Sequence, residues 1–112
     1  MSLSTHVLDA TLGRPAADVA VRLDRRGDDG GWTEVATGRT GPDGRLAGWL
    51  PGGEPAAGVY RLTFGTGGYF AARGVATLYP EVSVTFQVHD GDRHFHLPLL
   101  LSPHAYSTYR GS

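Results

Sequence analysis

"RHFHLPLLL", Arg93 to Leu101, carries more of the fold than any other run in the chain. Successive side chains of a strand point to opposite faces. Phe95, Leu97, Leu99 and Leu101 therefore share one side, while His94, His96, Pro98 and Leu100 share the other. Four bulky apolar groups make the first side a core face. The second side is mixed, with two imidazoles beside a proline and a leucine. Proline cannot donate to a ladder and belongs on an edge or at a bulge; the period does not choose between those two.

The same alternation recurs outward from this run. Val19, Val21 and Leu23 oppose Ala20, Arg22 and Asp24, and Val82, Val84, Phe86 and Val88 oppose Ser83, Thr85, Gln87 and His89. Glycine, proline and aspartate punctuate the chain at 27–31, 41–44, 51–58 and 65–68, with Asp28 and Asp29 in a hairpin loop. This spacing predicts eight strands, near 4–9, 18–26, 32–39, 45–50, 58–64, 81–89, 93–101 and 104–110. One short helix is predicted at 66–73, where Tyr69, Phe70, Ala71 and Ala72 interrupt the period. The fold class is all-β, an antiparallel sandwich or barrel, and at 112 residues the chain reads as a single domain, 1–112. Trp32, Trp49, Tyr60, Phe64, Phe70 and Phe86 read as core and satellite packing and not as a stacking platform; His89 and His104 flank turns and read as solvated.

Composition excludes several chemistries. With no cysteine, disulfides, thiolate nucleophiles and sulfur-ligated metals are ruled out. All ten basic residues are arginine, so no lysine can form a Schiff base. Eleven acidic residues balance them, and without a basic stripe nucleic acid is not an expected partner. No apolar run approaches a membrane span and the first residues do not read as a secretory signal, so the expected compartment is the cytoplasm.

Two further strands share the mixed outer character of the first. Ser4, His6 and Leu8 lie opposite Val7, and Ala105, Ser107 and Tyr109 lie opposite Tyr106, Thr108 and Arg110. If these strands are neighbours, one sheet displays histidines, a tyrosine and leucines away from its own core. Exposed apolar surface of that kind marks a partner or ligand, which implies an oligomer whose interface holds a polar site.

"STHVLDATLGRPA" (Ser4 to Ala16), "TGPDGR" (Thr40 to Arg45), "RHFHLPLLLSP" (Arg93 to Pro103) and "YSTYRGS" (Tyr106 to Ser112) together resemble the 5-hydroxyisourate hydrolases of the transthyretin-like family. The resemblance runs from Thr5 to the last residue, and "YRGS" separates these hydrolases from transthyretin, the hormone carrier of the same fold. It implies a two-sheet antiparallel sandwich with one short helix, assembled as a homotetramer built as a dimer of dimers, with active sites in a channel between the dimers. It also implies hydrolysis of 5-hydroxyisourate to 2-oxo-4-hydroxy-4-carboxy-5-ureidoimidazoline in urate degradation, without metal or other cofactor. The family's functional positions fall on His6, Arg45, His96, Tyr109, Arg110, Gly111 and Ser112. Of these, His6, Arg45, His96 and Ser112 are the candidate catalytic groups, and His6, Arg45, Tyr109, Arg110 and Gly111 the candidate substrate contacts. Gly41 and Pro42 depart from the polar residue more usual ahead of "DGR", which puts the turn before Arg45 in question.

The residue types suit such a reaction. Ring-opening hydrolysis needs a base for water, a donor for the developing oxyanion, and groups that hold a planar substrate. Histidine titrates near neutrality, and arginine offers paired donors. Ser112 lacks the Gly-x-Ser-x-Gly elbow of a nucleophile and reads as a group that positions water or substrate; Arg110 reads equally as an anchor of the terminus. Two other chemistries stay open: a zinc site of His94, His96 and His6, and a carrier that uses the same channel for a small molecule. A purely structural module is the third alternative to the enzyme.

Overall fold

In the computed structural model, which describes residues 2–51, 56–92 and 94–112, the alternating runs form two stacked sheets. Arg93 and residues 52–55 of the glycine-rich stretch lie outside the described residues. The strands are β1 (Ser2–Asp9), β2 (Arg14–Pro15), β3 (Ala20–Arg26), β4 (Trp32–Arg39), β5 (Arg45–Leu46), β6 (Gly58–Phe64), β7 (Val82–Val88), β8 (His94–Ser102) and β9 (Ala105–Thr108). The helix α1 (Thr66–Ala71) follows β6. One sheet runs β2-β1-β8-β9, with β5 also paired to β1; the other runs β4-β3-β6-β7.

The inner faces are those the alternation assigns. Phe95, Leu97, Leu99 and Leu101 of β8 are buried together with Leu3 and Val7 of β1, against Val21, Leu23, Leu62, Phe64, Val82 and Val88 of the opposing sheet. Removing such side chains from water at about 25 cal/mol per Å2 supplies the main drive for stacking the sheets. The helix closes one end by burying Tyr69 and Phe70. Tyr69 donates its hydroxyl to Asp9 Oδ2 at 2.8 Å. Burial first, and this bond second, push the Tyr69 phenol up to about 12, so it remains a donor.

Four features differ from the sequence expectation. β1 and β8 pair in parallel, Ser4 with His96 and His6 with Pro98, so the sheet is not purely antiparallel. The fifth strand spans Arg45–Leu46 and not 45–50: Gly48 turns into the left-handed region at φ 64, and the Trp49 indole donates to the Leu3 carbonyl at 3.0 Å. The two-residue β2 is an addition. Finally, the last strand spans Ala105–Thr108 and not 104–110. Trp32 packs as a satellite outside the core, its ring lying 4.2 Å from the guanidinium carbon of Arg61 and 4.9 Å from that of Arg26.

Pro98 sits in an interior strand, and the ladder accommodates it by a gap. β9 pairs with β8 from Ser102↔Ala105 to Leu99↔Thr108. It breaks opposite Pro98 and Leu97, then resumes in the same register at the single bridge His96↔Gly111. The missing proline N–H thus lifts Tyr109 and Arg110 off the strand, and the chain returns beside His96.

Candidate active site

The parallel pairing of β1 with β8 and the antiparallel pairing of β1 with β5 gather the predicted groups. Because His6 is the register partner of both Pro98 and Arg45, and Ser4 that of His96, all of these project from the outer face of one sheet. The tight turn before β5 is intact despite Gly41 and Pro42. Gly44 N–H donates to Gly41 O at 2.8 Å and Gly41 N–H to Arg45 O at 2.9 Å. Gly44 has φ 77, and a Cβ there would lie 2.4 Å from the Val7 carbonyl oxygen, so only glycine lets the turn press against β1. Asp43 Oδ1 accepts the Arg45 N–H at 3.0 Å.

A cleft of about 440 Å3 opens on this face, lined by Ser4, Thr5, Arg45, Leu46, Ala47, His94, Phe95, His96 and Ser112. The His96 ring is half-buried, and its Nδ1 lies 2.8 Å from Ser4 Oγ. Desolvation, then the charge of Arg45, then His6 lower its pKa from the usual 6.5, which keeps the imidazole neutral and able to accept a proton at neutral pH. His6 Nε2 lies 2.9 Å from the Asp43 carbonyl oxygen. A carbonyl only accepts, so His6 carries a proton on Nε2 and any lone pair on Nδ1. Arg45 is exposed, and its guanidinium makes no hydrogen bond or ion pair with the described residues.

The terminal residues divide by side. Ser112 lines the cleft. Gly111 donates its N–H to the His96 carbonyl at 2.7 Å, and a Cβ on it would stand 2.6 Å from His96 Cδ2, so its bare backbone abuts the ring. Arg110 turns the other way: its guanidinium carbon lies 4.2 Å from the Phe95 ring centre, and Nη2 donates to the His94 carbonyl at 3.1 Å. An ion pair to Asp92 at 3.9 Å completes this anchor. Tyr109 is 57% exposed on the open surface. The cleft thus brings together Arg45, His96 and Ser112 with His6 adjoining, while Tyr109, Arg110 and Gly111 frame it from outside its lining.

Ser4 was not among the sequence candidates. Its parity with His6 placed it on this face, but its contact with His96 depends on a strand pairing that alternation does not encode. Leu46 of β5 and Ala47 just after it also line the cleft. Among the described residues, no three His, Cys, Asp or Glu side chains converge as a metal site, and no helix is long and apolar enough to cross a membrane.

The chain is similar to other proteins over nearly its whole length. The 5-hydroxyisourate hydrolase of Caulobacter vibrioides is 47% identical over 115 residues, covering 98% of this chain and 97% of the relative. The mouse 5-hydroxyisourate hydrolase is 43% identical over 111 residues, covering 98% and 94%. Among solved structures, that of Klebsiella pneumoniae 5-hydroxyisourate hydrolase matches with a TM-score of 0.87 and 38% identity over 100% of both chains. Sea bream transthyretin in complex with thyroxine matches with a TM-score of 0.92 and 38% identity, over 97% of this chain and 93% of that one. Since the profile of the HIUase/Transthyretin family also matches residues 3–111, the chain belongs to that family.

Proposed function

We propose that this chain, residues 1–112 acting as one domain, is a hydrolase that opens the cyclic amide of 5-hydroxyisourate to 2-oxo-4-hydroxy-4-carboxy-5-ureidoimidazoline, using no metal or other cofactor. One observation carries the reading: a guanidinium without a partner among the described residues and a partly desolvated imidazole with a lowered pKa wall the same cleft. His96 Nε2 takes a proton from water as the water oxygen bonds to the acyl carbon. The guanidinium of Arg45 faces the oxygen on which negative charge develops, where fixed donors act most strongly. The acyl C–N bond then breaks, and the proton held by His96 passes to the leaving nitrogen. His6, braced on Asp43, and Ser112 orient water and substrate. Gly111 and Tyr109 form the outer wall, and Arg110 secures the segment that carries them.

The same proposal includes a cytoplasmic homotetramer, a dimer of dimers, with the cleft facing a channel between dimers. The outer face supports this, because Leu8 and Leu100 sit half-buried beside the polar groups, and β7 and β9 end their sheets with open edges that a second copy could extend. Neither nucleic acid nor membrane is a partner in this reading. The alternative, a carrier like the sea bream transthyretin that binds thyroxine, is less well matched. A cleft walled by Arg45, two histidines and two serines charges an apolar ligand the cost of desolvating them.

The test is to generate 5-hydroxyisourate with urate oxidase and follow its ultraviolet decay. Accelerated decay that is indifferent to EDTA is expected; decay at the spontaneous rate would remove the hydrolase reading.

A further inference from the structure

We infer that Ser4 is a positioning residue for His96: its hydroxyl holds the Nδ1 side of the ring so that Nε2 is the nitrogen offered to the cleft. The inference rests on the hydrolase reading for its kinetic consequence, and on geometry for the rest. The parallel register places Ser4 directly beside His96, with Oγ 2.8 Å from Nδ1. On the opposite flank Gly111 closes against the ring, leaving no room even for a Cβ. The imidazole is therefore held on both sides and at its own backbone, where the Gly111 N–H meets the His96 carbonyl.

A hydroxyl does something here that a carboxylate would not. To take a proton at Nε2, neutral imidazole must carry its hydrogen on Nδ1, and imidazolium carries hydrogen on both nitrogens. Ser4 Oγ accepts from Nδ1–H in both states, so it follows the ring through proton uptake without reorganising. A carboxylate in its place would orient the ring equally well but would stabilise the imidazolium at rest and raise its pKa. The charges that act on the ring are those of Arg45 on β5 and His6 on β1, and among the described residues His94 of β8 also lines the cleft. Ser4 adds orientation to that set without adding charge.

The test uses the full chain labelled with 15N at histidine, with His96 signals assigned by their loss in His96→Asn. Long-range proton–nitrogen spectra at neutral pH are expected to show wild-type His96 protonated on Nδ1. In Ser4→Ala the proton should move toward Nε2, and kcat should fall about ten- to a hundredfold, the loss of one hydrogen bond to a group that becomes charged, with KM little changed. Ser4→Thr, which keeps the hydroxyl, should restore both. A wild-type ring protonated on Nε2 would overturn the inference without any variant. So would an unchanged tautomer in Ser4→Ala, or an equal loss of kcat in Ser4→Thr. Wild-type protein that fails to accelerate 5-hydroxyisourate decay would instead defeat the hydrolase reading, leaving the spectra to judge Ser4 alone.

Discussion

The two sheets each turn a polar face outward, and the two faces handle their charges in opposite ways. On the β4-β3-β6-β7 sheet the charges pair with one another, although Arg61 Nε stays buried without a hydrogen-bond partner among the described residues. Asp24, only 4% exposed, accepts from Arg22 Nε at 3.1 Å and from Arg61 Nη2 at 3.2 Å, and Arg61 also lies over Trp32. On the β1-β8 face the groups are held but not consumed. Asp43 takes one nitrogen of His6 and Ser4 one nitrogen of His96, while Arg45 pairs with none of the described residues. Alternation alone gives both faces their polarity. What separates a stabilising face from a reactive one is whether the polar groups use up each other's valences.

The sharpest way to break that contrast is to remove one group from each face. His96→Asn should cost about a hundred- to ten-thousandfold in kcat, the usual range for a positioned base, and leave the thermal midpoint nearly unchanged. Asp24→Asn should do the reverse. It strands two guanidinium groups beside a neutral amide, costing about 1–3 kcal/mol of stability, with no change in turnover. Decay assays and thermal melts on both variants decide it. If Asp24→Asn lost activity, or His96→Asn lost mainly stability, the division of labour between the faces would be wrong.

A finer cut tests the frame around the reactive face. Gly111→Ala places a methyl group 2.6 Å from His96 Cδ2 and 3.3 Å from the His96 carbonyl oxygen. The ring or the terminal segment must shift, and misplacing a reacting group by about 1 Å can cost a hundredfold. Gly68→Ala is the control, since a Cβ there meets nothing within 4 Å; it should retain full activity. A fully active Gly111→Ala would mean that the segment 109–112 does not fix the ring.

Much of this was legible in the sequence, because period two reports which way a side chain points. It put Phe95, Leu97, Leu99 and Leu101 inside and His6 and His96 outside, and both assignments hold in the structure. It put Arg110 on the side opposite Tyr109, where the guanidinium indeed reaches the Phe95 ring. What period two cannot report is direction or adjacency. A parallel and an antiparallel neighbour show the same alternation, so the β1–β8 pairing that sets Ser4 against His96 was hidden. Local competition was hidden as well. The early end of β5 depends on a left-handed Gly48 and on the Trp49 indole reaching a carbonyl 46 residues away in sequence. Period two also leaves open whether an aromatic ring packs within the core or beside it: Trp32 lies outside, covered by two arginines.

The smallest expected effect concerns the electrostatics that join the two halves of the reactive face. His96 must be neutral to take a proton, and its pKa is lowered below 6.5 by burial, Arg45 and His6, in that order. Activity should therefore persist somewhat below pH 6.5 and fall as pH drops through the lowered value. Stability follows the same sign. The unfolded chain binds the proton more readily, so the contribution of neutral His96 is full above the unfolded pKa and is lost as pH falls through the folded one. Arg45→Ala removes one of the two charges that oppose protonation, so the acid limb of kcat/KM should move toward higher pH. The variant should also lose about ten- to a hundredfold in kcat/KM at neutral pH through the missing oxyanion donor. Arg22→Ala, on the other sheet, should leave the limb where it was. Full pH–rate profiles of wild type and both variants check this. An acid limb that ignores Arg45 would mean that the guanidinium and the imidazole, though they wall one cleft, do not act on one another.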